Sequence, residues 1–553
     1  MSAIVPQARL RADLDLLADL VGSLEFRLES PGQEDRRARR DHLLAVSRRY
    51  LEPRLADPGH PLVVAVFGPT GSGKSTIVNT LAGRDISPVG VLRPTTERAV
   101  AWVHRRHVEA ARRTLGDGVE LIEDEHPALE SLVLVDTPDI DSVASDHRDR
   151  ALDILAAADV ALAVTTPQRY ADAVPWEVIG ELTGRALRLT VVMNRASRRS
   201  SGAVIDLAGL LRDARVGGVE SSDDIVVIQE QRIRGDGRLH GYALRRLARR
   251  LQDLASDRGA VVRRGVLGAA RHCVVVADEV AADVKAQDAE GGRLLAVVDD
   301  AIAAARGDIT SRLRDGDLVR AEVVARWQTL IGVSDLAAGV SAAAARIRRL
   351  LSPASGTEDL QRVDREIVAE LVEAGMEQIA RALRRVDIAW STSATGRTLV
   401  EAIDADTEAL RRDLTDAIAG WRAELVRRVS EVGQGRIRRS RAASYGINGV
   451  ATLVLLALFT STGGLTGAEV GVAAGAAAAQ QALLERLLGT AEVRRLEKQM
   501  REDLVGVVES QVARALTPHR AAVDGAVDDP DLGGELADAA RRVEAALEEY
   551  AGG

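Results

Sequence analysis

Gly68-Pro-Thr-Gly-Ser-Gly-Lys-Ser75 follows the apolar run Leu62-Val-Val-Ala-Val-Phe67 and leads into Thr76-Ile-Val-Asn-Thr-Leu81, a stretch with helical character. The order is strand, glycine-rich loop, helix, which is the context a phosphate-cradling loop requires. Glycines let the backbone curl until several N–H groups point at one anion, and the new helix adds its positive end. Gly68, Gly71, Ser72, Gly73, Lys74, Ser75 and Thr76 are therefore the candidate phosphate ligands. Lys74 is the residue to reach the β- and γ-phosphates, and Ser75 offers a hydroxyl to Mg²⁺.

Length and composition set the frame around this loop. A chain of 553 residues is too long for one core and implies several domains. Hydrophobic residues make up 46% and charged residues 28%, the balance of a folded protein, while aromatics reach only 2%. Cores must then be built from Leu, Val, Ile and Ala. A net charge of −9 argues against nucleic acid as a bulk partner. Lysine is confined to Lys74, Lys285 and Lys498, so the loop lysine stands out from the composition. Cys273 is the only cysteine, which excludes a disulfide framework and a thiolate metal site. The N-terminus has no apolar signal core, and a cytoplasmic location is expected.

Before the loop, Leu10, Leu14, Leu17, Val21, Leu24 and Leu28 form one stripe of an amphipathic helix over 7–30, and a more charged helix covers 33–55. From Pro61 to about Asp236 short apolar runs alternate with helices. Strands are expected at 62–67, 98–103, 131–136, 159–165, 188–193 and 224–228, with helices near 75–83, 147–158, 171–184 and 203–214. That alternation predicts an α/β domain with a mostly parallel sheet covered on both faces, and ligands at the carboxyl ends of its strands. Beyond Arg238 strand signals almost vanish. Helices are expected over 238–257, 259–290, 293–350, 357–388, 397–442, 490–516 and 534–550, a long all-α stalk or bundle.

Three features bear on the nucleotide. Arg93-Pro-Thr-Thr-Glu97 lies where a GTPase places switch I, whose threonine binds Mg²⁺ and orders the loop over the γ-phosphate. Leu132-Val-Leu-Val-Asp136 is a buried strand ending in an aspartate suited to the Mg²⁺ shell. Leu189-Thr-Val-Val-Met-Asn194-Arg195 is a strand ending in asparagine, where GTPases read the base. A transporter ATPase would carry Asp-Glu at this strand end and Ser-Gly-Gly between the two nucleotide motifs, and neither is present.

With these motifs in order, the sequence resembles the dynamin superfamily, in particular the bacterial dynamin-like GTPases. The resemblance runs from Pro61 to about Asp236 through Gly68–Ser75, Arg93-Pro-Thr-Thr96 and Asp136-Thr-Pro138. It implies GTP hydrolysis coupled to membrane remodelling, and assembly with itself or a paralogous dynamin-like protein. It also implies catalytic roles for Lys74 and Thr96, with Thr95 the second choice, and Mg²⁺ ligation by Ser75, Thr96 and Asp136. Asn194 and Arg195 fall at the guanine-reading place. Three departures qualify the resemblance. The switch II glycine is Asp139, a carboxylate unfavourable beside the γ-phosphate unless it turns away. Ser197 replaces the base-reading aspartate, which weakens discrimination against adenine by about 1–3 kcal/mol. Thr70 and Gly71 stand at the water-positioning places, so hydrolysis is expected to be slow without assembly.

The segment 446–484 breaks the composition. Gly446 to Gly467 carries no charge, Glu469 and the small-residue run 470–479 follow, and arginines crowd both flanks. One reading is a membrane paddle, because about 22 uncharged residues could span ~30 Å of hydrocarbon and positive flanks stay inside. The other is a buried hairpin within the bundle. The expected organisation is N-terminal helices packing on the stalk over 1–60, a P-loop GTPase domain over 61–236, a bundle over 237–445, the hairpin over 446–489 and returning helices over 490–553. The expected partners are guanine nucleotide and an anionic membrane surface at the inner face of the cell membrane, with the protein peripheral or paddle-anchored. The alternatives are a soluble nucleotide switch whose bundle binds a protein, and an NTPase of relaxed base specificity.

Overall fold

The computed structural model describes residues 4–88, 98–140, 145–184, 187–217, 219–315, 318, 319, 323, 326, 357–436, 447–460 and 480–552. The chain forms two compact units. One comprises Met1–Phe26, Gly32–Gln287 and Asp528–Gly553, and the other Arg27–Pro31 and Asp288–Val527.

The first unit is built on a seven-stranded sheet ordered β3-β2-β4-β1-β5-β6-β7. Its strands are β1 (Leu62–Phe67), β2 (Ala99–His104), β3 (Val119–Asp124), β4 (Leu132–Asp136), β5 (Val160–Thr165), β6 (Arg188–Ala196) and β7 (Val226–Gln229). Every pairing is parallel except β2 with β4. Strand β1 is buried along its whole length. Alternation sends Val63, Ala65 and Phe67 into one core and Leu62, Val64 and Val66 into the other, so both faces are covered. The α/β reading therefore holds. It missed β3, whose Val-Glu-Leu-Ile-Glu-Asp puts charge on an edge strand, and helix α5 (Val108–Leu115) before it.

The N-terminal helices α1 (Ile4–Ser23), α2 (Gln33–Ala45) and α3 (Glu52–Ala56) belong to this unit. A π-helical stretch, Val46–Leu51, joins α2 to α3. The stripe of α1 buries Leu10, Leu14, Leu17 and Val21 with Val266–Val284 of the long helix α10 (Arg258–Asp315) and with the helix Leu532–Gly552. Helix α1 stops at Ser23, earlier than its leucine spacing suggests. Leu24, Phe26 and Leu28 still bury, but from an irregular segment in which Phe26 takes φ 48°. The Asp528 carboxylate holds that segment by accepting from the backbone N–H of Glu25 (2.9 Å) and Phe26 (3.0 Å).

Helix α3 is tied to the sheet through charge. Arg54 and Asp159 are both fully buried and pair through Nε–Oδ1 and Nη2–Oδ2, each 2.6 Å. Arg54 also donates to the carbonyls of Tyr50 and Ala157, and Asp159 accepts from Val63 N–H at 2.7 Å. A buried pair is tolerated when its remaining donors and acceptors are matched in this way. Beside it, His60 accepts from Thr114 Oγ1 at Nε2 (2.9 Å) and donates from Nδ1 to the Pro61 carbonyl (2.8 Å).

The second unit is helical. Its core gathers the later part of α10 and the helices Thr357–Trp390, Ala394–Glu401, Thr407–Arg436, Ile447–Thr460, Thr490–Ala515 and Thr517–Asp524. Trp390 Nε1 donates to Leu294 O and Trp421 Nε1 to Met500 O, so both buried indoles are satisfied. The expected break near residue 291 is absent. Helix α10 runs through Gly291-Gly292, where Val523 and Val527 pack closely against it. The expected single helix over 397–442 instead breaks at residues 402–406, and Asp406 caps the new start by accepting from Ala409 N–H at 2.9 Å.

The described part of the apolar segment lies in this core. Ile447–Thr460 is a helix of 14 residues, and Val450, Leu453, Val454, Leu455 and Leu458 are buried. Gln480 Nε2 donates to Leu453 O at 2.8 Å and Arg501 Nη2 to Leu458 O at 2.9 Å. Residues 461–479 lie outside the described ones. Among the described residues no helix is long and apolar enough to cross a membrane.

Burial and the nearby Arg54 charge push the His60 imidazole down to about 4. A histidine depressed on folding contributes stability above its unfolded value near 6.5 and loses it as pH falls toward 4. The unfolding free energy should drop by up to about 3 kcal/mol over that window through this residue alone. Chemical denaturation of wild type and His60→Gln at pH 7 and pH 4.5 measures it. The variant should show the shallower pH dependence, and equal slopes would contradict this account.

Candidate functional site

The carboxyl ends of β1, β4, β5 and β6 lie along one edge of the sheet, because these neighbouring strands are parallel and in register. That edge places Gly68, Asp136, Thr165 and Asn194 close together. The loop Gly68–Gly73 leaves β1 and turns into helix α4 (Lys74–Ala82). Gly68 has φ 150°, and a Cβ there would sit 2.1 Å from the Val164 carbonyl oxygen. Gly73 has φ 95°, and a Cβ there would meet Asn194 Nδ2 at 2.4 Å. No side chain fits at either position, so the loop can lie flat against the ends of β5 and β6 only with glycine.

Lys74 opens α4 and is nearly buried. Its ammonium donates to Gly68 O at 3.0 Å and Pro69 O at 3.4 Å, and pairs with Asp139 Oδ1. Asp136 is fully buried at the end of β4. Burial pushes its carboxyl up, Ser75, Ser87 and the Lys74 charge pull it back, and Asp139 raises it again. Ser87 Oγ donates to Asp136 Oδ2 at 2.5 Å. Among the described residues, Asp136 Oδ1 and Ser72 Oγ are buried without a hydrogen-bond partner. The free carboxylate oxygen of Asp136, with the Ser75 hydroxyl bonded to the same carboxyl, forms an oxygen donor set. Such a set fits Mg²⁺, which takes one or two carboxylates and completes its shell with phosphate oxygens and water.

Asn194 is buried near the end of β6. Its Nδ2 donates to Ser72 O at 2.8 Å, and its Oδ1 accepts from Arg195 N–H at 2.9 Å. Arg195 takes φ 55° and its side chain is exposed. Ser197 is exposed, with its hydroxyl 3.0 Å from Ser200 Oγ and accepting from Arg199 N–H at 3.2 Å, in the turn before helix α8 (Ser201–Asp213). Thr76 occupies the first turn of α4 and accepts from Thr80 Oγ1 through its carbonyl. Thr70 and Gly71 form the tip of the loop. Thr95 and Thr96 lie outside the described residues.

Three contributors were not legible beforehand. Arg169, in the turn after β5, donates from Nη1 to Thr70 O at 2.7 Å and from Nε to Asp172 Oδ2 at 2.7 Å, so it steadies the loop tip. Asn79 on α4 donates to Ser87 O and accepts from Ile86 and Ser87 N–H, which sets the Ser87 hydroxyl against Asp136. Arg169, Asn79 and Ser87 belong to no spacing pattern, and only the folded contacts bring them to the site.

Residues 64–124 match the model of the dynamin family. This stretch runs from β1 through the glycine loop to β3, and it bears out the resemblance drawn from Gly68–Ser75. Two solved chains also align with this one. Both belong to work described as an oligomerised bacterial dynamin pair that provides a mechanism for the long-range sensing and tethering of membranes. The first is 11% identical with a TM-score of 0.42, covering 98% of this chain and 95% of its own. The second is 12% identical with a TM-score of 0.38, covering 97% and 94%. No protein with a curated description matches the chain.

Proposed function

We propose that the chain is a dynamin-like GTPase that binds GTP with Mg²⁺ at this sheet edge. Hydrolysis is coupled to assembly, with itself or a paralogous dynamin-like protein, and to an anionic membrane surface that the protein meets peripherally. The observation that carries the nucleotide reading is the convergence of the glycine loop, the buried Lys74 ammonium and the orphaned Asp136 Oδ1 at one sheet edge.

In this reading the loop N–H groups and Lys74 hold the β- and γ-phosphate oxygens and stabilise the charge that develops as water attacks the γ-phosphate. Ser75 and Asp136, with Thr96, would hold Mg²⁺, which when bound neutralises charge shared between the β- and γ-phosphates. Asn194 fixes the loop through Ser72 O, and the Arg195 stem is available to cover the face of the base. Ser197 offers a neutral partner where an aspartate would give two strong hydrogen bonds, so guanine preference rests on fewer contacts. Thr70 holds the water-positioning place at the loop tip, and assembly would complete the site.

A soluble nucleotide switch is the second reading, and the burial of Val450, Leu453, Val454, Leu455 and Leu458 favours it. An apolar helix already packed in a core has no unsatisfied surface to offer a bilayer in this conformation.

Titration with Mg²⁺-GTP should show binding by wild type that falls at least about tenfold in Lys74→Ala, the cost of one charged hydrogen-bonding partner. Equal binding by the two proteins would contradict the site, and ATP binding as tight as GTP would leave an NTPase of relaxed base specificity. Flotation with anionic vesicles separates the two membrane readings. Co-flotation that depends on GTP is expected of the remodelling GTPase, and failure to float with or without GTP would leave the soluble switch.

A further inference from the structure

Asp139 ends the turn Asp136-Thr-Pro-Asp139 and turns toward the glycine loop rather than away from it. Its Oδ1 pairs with Lys74 Nζ, and the two side chains are only 15% and 5% exposed. With Gly68 O and Pro69 O, the ammonium has three acceptors, which matches its three N–H donors. A phosphate oxygen needs the same donors. Asp136, fully buried nearby, feels the Asp139 charge as well. A second anion entering here meets two carboxylates in a pocket with little water to screen them.

We propose that Asp139 is an intramolecular counter-anion that occupies the terminal-phosphate position on Lys74 and competes for it with a nucleoside triphosphate. The inference rests on the nucleotide reading above and adds a selectivity to it. A β-phosphate oxygen can take the donors now given to the Gly68 and Pro69 carbonyls, so a diphosphate can leave the Asp139 pair in place, whereas the γ-phosphate brings a second charge onto Lys74 and a triphosphate must displace Asp139. The wild-type site is thereby biased toward the diphosphate, and any event that draws the Pro138–Ile140 turn off the loop raises triphosphate affinity.

The test is equilibrium titration of wild type, Asp139→Asn and Asp139→Gly with GTP and GDP, each in Mg²⁺ and in EDTA. Thermal melting confirms that the variants are folded, and the two substitutions guard against a local packing effect of either one. Both variants should bind GTP at least about tenfold tighter than wild type, because like charges are no longer juxtaposed, while GDP affinity changes by less than about threefold. An unchanged ratio of GTP to GDP affinity, with wild type binding both, would overturn this inference alone. Weaker GTP binding by the variants in Mg²⁺ but not in EDTA would also overturn it, by making Asp139 a metal-side ligand. Binding by none of the three proteins would overturn the nucleotide reading together with it.

Discussion

The first unit depends on how closely the glycine loop lies against the ends of β5 and β6. A methyl group at Gly68 would collide with the Val164 carbonyl, and one at Gly73 with the Asn194 amide. This close approach lets Asn194 Nδ2 reach Ser72 O and lets Arg169 reach Thr70 O, so the loop is held from β6 and from the turn after β5. Helix α4 then starts at a fixed point, with Lys74 pointing back over the loop. The site is therefore a product of backbone geometry first and side-chain chemistry second.

The electrostatics follow from that geometry. Parallel strands in register bring one lysine and two carboxylates to the same edge. Asp136 is buried at the strand end with an unpartnered oxygen, and Asp139 reaches the ammonium from the next turn. Lys74 pairs with Asp139, one of the two carboxylates, which leaves Asp136 short of a cation. On the other side of the sheet domain a second buried pair, Arg54 with Asp159, is fully matched by backbone partners and anchors α3 to the start of β5. The contrast between a fully matched buried pair and a buried carboxylate with an unpartnered oxygen separates scaffold from site.

Much of this could be read in the chain. The strand, loop and helix around Gly68–Ser75 carry a strong local pattern, and the fully buried central strands are short apolar runs that periodicity exposes. Edge strand β3 was missed because its glutamates mask the alternation, and the break at 402–406 because an unbroken apolar stripe continues across it. The places of Lys74 and Asp136 at the site were legible because each is set by its position after a strand. Asn79, Ser87 and Arg169 were not, since each acts through a contact between elements distant in sequence. Asp139 lies between these cases. The sequence marked it as an awkward charge, and the fold supplied the partner that makes it tolerable. The apolar segment was open to two readings because hydrophobicity alone does not distinguish a bilayer from a helical core.

Hydrogen–deuterium exchange over Gly68–Ser75 and Pro138–Ile140, with and without a non-hydrolysable guanosine triphosphate analogue and Mg²⁺, reads whether a triphosphate seats in the loop and displaces Asp139. Slowed exchange is expected at the loop N–H groups, together with a change at the Asp139 turn as it leaves Lys74. Unchanged exchange in both segments at saturating analogue would contradict this expectation.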